Sequence, residues 1–248
     1  MSLPPAGEIV MVVVGAAAGG FVNGLTGTGY GLVALGFWLQ VLPPVTAAPL
    51  VALCSVTGHV QALGQIWSDV RWPRLWPFLI AGLVGVPLGT LLLEHVRVQP
   101  LKVAVGVLLI LYAAWMSFVH RPPLITGGGR AADAAVGLAG GVLGGMASLS
   151  GPAPTIWVQL RGWSKDEQRG VGQPFNMAIL IAALLAAAVA GLLDRTFLVW
   201  AAIAVPTSLV AARLGLRLYG RVDDAGFRRL VLALLGLSGA ILIMSALR

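Results

Sequence analysis

Between Gly19 and Gly31 the chain reads GGFVNGLTGTGYG, so Asn23, Thr26, Thr28 and Tyr30 stand around Gly27 and Gly29. Amides and hydroxyls on a glycine-rich turn are chemistry for holding an anion. Glycine lets a ligand come close to the backbone. A helix restarting near Gly29 would present free N–H groups carrying roughly half a positive charge. The turn lacks the Lys-Ser/Thr ending of a nucleotide-binding P-loop, so ATP chemistry is not expected of it.

A second stretch, ASLSGPAP, offers Ser148, Ser150 and Gly151 before Pro152. Proline at the first position of a helix costs no helix bond and pre-sets φ, so Pro152 or Pro154 predicts another half-helix opening at this break. Gln173 and Asn176 begin a later apolar segment and could line the same site. His59 and Gln61 lie inside CSVTGHVQALGQ. A histidine there reads either as a proton carrier or as a neutral hydrogen-bond partner between helices. Ser150 in SLSGP is not a G-x-S-x-G elbow, and no His/Asp pair is placed to activate it. No catalytic residues are assigned.

The elements that carry these residues must be membrane helices. Of 248 residues, 58% are hydrophobic and 10% charged, and the mean hydropathy is +0.92. Soluble domains carry about 25% charged residues. Apolar stretches of about 20 residues, the length that crosses a bilayer core, recur along the chain. The fold class is therefore an all-α polytopic membrane protein. Segments are expected at roughly 8–25 and 29–42 around the first break, then 46–67, 75–93 and 101–119. A second broken segment spans 131–160, followed by 171–193, 196–218 and 228–247. The single cysteine, Cys54, excludes an internal disulfide and a multi-cysteine metal site, and no metal or cofactor is implied. The opening MSLPPAGEIV has no basic residue before its apolar run and does not read as a cleaved signal peptide. The excess of 16 Lys and Arg over 9 acidic residues reads as orientation within a bilayer, not nucleic-acid binding.

The two halves echo each other. Ala18–Gly20 recurs at Ala139–Gly141, each before a break, and Pro49–Asp69 matches Pro174–Asp194 in length. The expected organisation is a first repeat over 1–120, a linker over 121–130 and a second repeat over 131–248. Each repeat has a broken or re-entrant first helix plus three transmembrane helices. If each broken segment returned to the side it entered, the repeats would be inverted, with four Lys/Arg on one side and twelve on the other. If both spanned fully, the repeats would be parallel, with six against ten. The positive-inside rule favours the inverted arrangement. Duplicated broken segments point to a transporter's central site, although small residues also serve plain helix packing. No Lys or Arg sits in the middle of an apolar segment, and Asp69, Glu94, Asp133 and Asp194 lie at segment ends. Backbone N–H groups, hydroxyls and amides would then hold the anion loosely enough to release it.

The stretches GFVNGLTGTGYGLV, GGMASLSGPAPTIWVQLRGWSKDEQR and DVRWPRLWPFLIAGLVGVPLGTLLLEHV resemble the TauE/SafE family of sulfite exporters, over nearly the whole chain. The resemblance implies a permease for sulfite, organosulfonates or related anions in the bacterial inner membrane. The expected partners are a small anionic substrate and lipid, with homo-oligomerisation left open. The alternatives are an anion channel and a non-transporting assembly or sensor component.

Overall fold

The computed structural model describes residues 5–27, 29–66, 70–93, 97–118, 125–163 and 165–218, with isolated positions from 233 to 247. Thr28, most of the expected 228–247 segment and Arg121 lie outside the described residues. The described residues form helices and no strands. In chain order these are α1 (Ala6–Thr26), α2 (Tyr30–Trp38), α3 (Pro44–Ile66), α4 (Trp72–Leu93), α5 (Val98–Phe118), α6 (Gly129–Ala147), α7 (Pro152–Leu160), α8 (Lys165–Val189) and α9 (Arg195–Leu218). Both expected breaks are present. Among the described residues, four stretches are long and apolar enough to cross a membrane: Ala6–Leu25, Trp72–Leu93, Gly170–Val189 and Arg195–Arg217.

Each short helix folds back along the long helix before it. A Cβ on Gly19 would meet the Tyr30 carbonyl and the Ala34 side chain, and one on Gly15 would meet Trp38. The Trp38 indole N–H donates to Val12 O at 3.0 Å, closing the top of this hairpin. In the second hairpin the Trp157 N–H donates to Asp133 at 2.7 Å. Ile125 N donates to Leu160 O at 2.7 Å, and Arg161 donates to Gly127 O at 2.8 Å. The C-terminal end of α7 thus returns to the level at which α6 begins. A helix interrupted in a bilayer is tolerated only where protein or a wet cavity covers it. Residues 30–36 of α2 are all buried, as are residues 46–52 of α3 beside it.

Glycine stripes set the long-helix packing. On α4 and α6, Phe78 meets Gly137, Gly82 meets Gly141, and Val86 meets Gly145. The two helices run parallel, since both sequences ascend together. On α1 and α9, Gly20 meets Ser208 and Gly24 meets Ala212, again in parallel. With no side chain between them the backbones approach closely, the packing mode favoured where burial from water is not the driving force. The opposite face of α4 exposes Ile80, Val84, Leu88 and Leu91 at helical spacing, the surface a lipid tail would cover. Trp72 and Trp76 are exposed at the start of α4 with ring centroids 5.9 Å apart, an interfacial position.

Pro174 stands inside α8. Proline cannot donate to the carbonyl four residues back. That carbonyl, Gly170 O, instead accepts from Arg71 N at 3.2 Å, joining α8 to the start of α4. Arg74 adds an ion pair to Glu167 at 2.8 Å and lies over the Trp163 ring.

A Cβ at Gly141 would stand 2.0 Å from Gly82 O, whereas one at Gly172 meets nothing within 4 Å. Gly141→Val should therefore force α4 from α6 and destabilise by about 1–3 kcal/mol, the usual cost of overpacking. Gly172→Ala should be neutral or slightly stabilising. Thermal unfolding of the detergent-purified variants, followed by size-exclusion chromatography, checks both.

Candidate functional site

The two breaks end their long helices in the same way. Gly27 caps α1 at φ 68 and Ser148 caps α6 at φ 55. The N–H of Gly27 donates to Asn23 O, and that of Ser148 to Gly144 O, both at 2.8 Å. Ser148 is the one non-glycine residue with positive φ among the described residues. Its hydroxyl donates to Ala48 O at 2.7 Å, which helps hold a conformation that costs an L-residue about 1–2 kcal/mol. At Gly27 the space of a side chain is already taken, because a Cβ there would stand 1.4 Å from Gln173 Nε2.

The half-helices that follow are unequal as donors. The α2 N-terminus, behind Gly29 at φ 89, has no side-chain cap, and Tyr30, Gly31 and Leu32 supply its first N–H groups. The α7 N-terminus begins Pro152-Ala153-Pro154, so only Ala153 has an N–H among the first three positions. The ends lie close together: a Cβ on Gly31 would be 3.1 Å from Ser148 O.

A small cavity opens beside the first break, lined by Asn23, Gly24, Gly27, Gly58, His59, Gln61, Gln173, Ala212 and Leu216. The space open to the centre of a water-sized sphere is about 20 Å³, enough for about one water. Asn23 is 4% exposed, yet its Oδ1 has no hydrogen-bond partner among the described residues, and neither does Gln61 Nε2. Buried polar atoms are normally bonded, and each orphan costs roughly 1–3 kcal/mol. A carboxamide can turn over to present either oxygen or nitrogen, so these groups can adapt to a polar guest.

The cavity is wired to the second break. Asn176 Nδ2 lies 2.9 Å from His59 Nε2, and Ser150 Oγ hydrogen-bonds Asn176 Oδ1. All three residues are buried. A wider apolar groove along α6 and α7, lined by Ala135, Val136, Ala139, Ala153, Ile156, Trp157 and Leu160, suits an anion less. Its indole N–H is already committed to Asp133.

The structure thus brings Asn23, Gly27, His59 and Gln173 to one cavity, with Asn176 and Ser150 bonded behind it. Tyr30 points elsewhere, its hydroxyl 2.6 Å from Ser208 Oγ. Ser148 bonds Ala48, while Gly29 and Pro152 open the half-helices and Gly151 supplies the carbonyl that starts the α7 ladder. The Thr26 side chain lies outside the described residues, like Thr28. Sequence reasoning noted Gln61 but assigned it no site, and missed Gly24, Gly58, Ala212 and Leu216. Their convergence on one cavity only registers once α1, α3 and α9 are packed.

The family described as Sulfite exporter TauE/SafE matches residues 11–242. The chain belongs to the sulfite exporter TauE/SafE family. A curated relative from Cupriavidus necator, named Probable sulfite/organosulfonate exporter TauE, is 29% identical over 237 residues, covering 93% of this chain and 91% of the relative. No solved structure matches. Family membership and the apolar helices identify a multi-pass bacterial membrane protein.

Gly27→Ala should lower thermal stability through both positive φ and collision with Gln173. Adding Gln173→Ala should recover the collision but not the backbone cost of about 1–2 kcal/mol. A double variant no more stable than the sum of the two single effects would show that Gly27 and Gln173 are not in contact. Melting curves of the four proteins give the answer.

Proposed function

We propose that this protein is a secondary transporter of the bacterial inner membrane that exports small sulfur oxyanions, sulfite or organosulfonates. The anion is held in the cavity at the first break, which hydrogen bonds join to the second. The observation that carries this reading is the cavity whose lining includes buried amide atoms with no partner among the described residues, in a chain of an exporter family. Donors for the anion are the carboxamides of Asn23, Gln61 and Gln173 and the imidazole of His59. The cavity's present size, near one water, corresponds to a closed state that must widen to admit substrate. Thr26, Thr28, Ser148, Gly151 and Pro152 belong to the surrounding breaks.

The two halves, 1–120 and 131–248 around the 121–130 linker, act as inverted repeats. Three features support this reading. Each broken segment folds back on itself. The pairing of α1 with α9 is mirrored by that of α6 with α4. Gly27 and Ser148 are matched caps. Both termini then face the periplasm, with Arg71, Arg74, Arg130, Arg161, Arg213 and Arg217 on the cytoplasmic side, joined by Arg121, Lys165, Arg169, Arg221, Arg228 and Arg229. The cavity lies toward the C-terminal ends of α1 and α9, close to the cytoplasmic entrance an exporter needs. Alternating access rocks one repeat against the other around it. His59 as a proton carrier is a second reading, favoured by its being a titratable side chain on the cavity.

Purified protein in liposomes should move sulfite and methanesulfonate. Asn23→Ala and Gln173→Ala should each weaken binding roughly ten- to a hundredfold, the worth of one hydrogen bond to a charged group. Wild-type affinity in both variants places the site elsewhere. Flux indifferent to proton and sodium gradients indicates a channel, and no flux indicates an assembly or sensor component. His59→Gln removes one donor and should leave anion binding measurable but weakened, by up to about a hundredfold; if proton coupling is abolished as well, the second reading holds, and unchanged proton-driven flux excludes it.

For the topology, a reporter fused at Arg248 should give a periplasmic signal and one within 121–130 a cytoplasmic signal. A cytoplasmic signal at Arg248 excludes the inverted arrangement.

A further inference from the structure

Three buried side chains from three different elements form one chain of hydrogen bonds: Ser150 at the second break, Asn176 on α8 and His59 on α3. The bonds have a direction. Asn176 Oδ1 can only accept, so the Ser150 hydroxyl donates to it. That bond fixes which way the carboxamide faces and leaves Nδ2 toward His59. An amide nitrogen only donates, so His59 Nε2, 2.9 Å away, must be the acceptor. In neutral imidazole the proton then sits on Nδ1.

We propose that Asn176, oriented by Ser150, is a positioning residue that holds His59 as the Nδ1–H tautomer, so that the imidazole presents a donor to the anion in the cavity. This rests on the cavity being the anion site. His59 lines that cavity with Asn23 on α1, Gln61 on α3, Gln173 on α8 and Ala212 on α9. With the opposite tautomer, a lone pair would face the negative charge. The second break thereby acts on a site it does not line, through a proton placed two hydrogen bonds away. Neither Ser150 nor Asn176 is among the cavity-lining residues, so their effect on affinity has to travel through His59.

Chemical shifts of the imidazole nitrogens in isotope-labelled histidine, measured by solid-state NMR on the full chain in lipid, read the tautomer. The His59 signal is identified by its loss in His59→Gln. The wild-type protein should show Nδ1 protonated and Nε2 bare. Ser150→Ala frees the carboxamide to turn, and should give a mixture of tautomers with sulfite and methanesulfonate binding weakened about tenfold. Ser150→Thr keeps the hydroxyl and should restore both, a rescue that a packing role for Ser150 would not produce in the tautomer signal. Asn176→Ala should weaken binding about ten- to a hundredfold. A wild-type spectrum with Nε2 protonated overturns the proposal without any variant being made. So does a Ser150→Ala protein whose tautomer and affinity are unchanged. The export reading is tested apart from this: a correct tautomer in a chain that moves neither sulfite nor methanesulfonate in liposomes sinks the transport function and leaves the relay standing.

Discussion

A helix broken inside a bilayer leaves backbone groups that only protein or trapped water can satisfy, and everything else in this fold follows from covering two such breaks. The cover comes from close backbone approach. Gly20 and Gly24 let α9 lie against α1, while Gly82, Gly141 and Gly145 let α4 lie against α6. Each long broken helix is flanked by a partner distant in sequence. The first half therefore needs the second to close its break, and neither hairpin has a complete environment without the other half.

That interlocking explains why the polar residues sit where they do. Asn23 crosses from α1 to α3, its amide nitrogen 2.5 Å from where a Cβ on Gly58 would be. Gln173 crosses from α8 to the cap of α1. Asn176 and Ser150 tie α8 and the second break to His59. Side-chain amides suit this work, since each offers both donors and an acceptor and none carries a charge whose burial in the membrane would be costly.

The likeness between the two broken segments extends to their helix breaks and caps more than to their chemistry. Aligning the halves through Pro49 and Pro174 sets Leu184 opposite His59, Ala186 opposite Gln61 and Ala48 opposite Gln173. Aligning the breaks sets Gly144 opposite Asn23. The donor-rich start of α2, Tyr30-Gly31-Leu32, likewise has as its counterpart the donor-poor Pro152-Ala153-Pro154 of α7. The polar cavity thus belongs to the first break.

The sequence alone determined the all-helical membrane class, the two breaks and the positions of most helices, because apolar length and glycine or proline punctuation are local signals. The expected segments 8–25, 75–93 and 196–218 lie within or nearly within α1, α4 and α9. Asn23, His59, Gln173 and Asn176 were also legible as polar residues in apolar surroundings. What no local signal carried was partnership. That Tyr30 would turn to Ser208 instead of the cavity, that Gln61 Nε2 would have no partner among the described residues, and that Ser150 would reach His59 through Asn176 depend on which helices lie side by side. Tertiary packing decided those, because hydrogen bonds between residues from 26 to 178 positions apart are fixed by the approach of backbones, not by spacing along the chain.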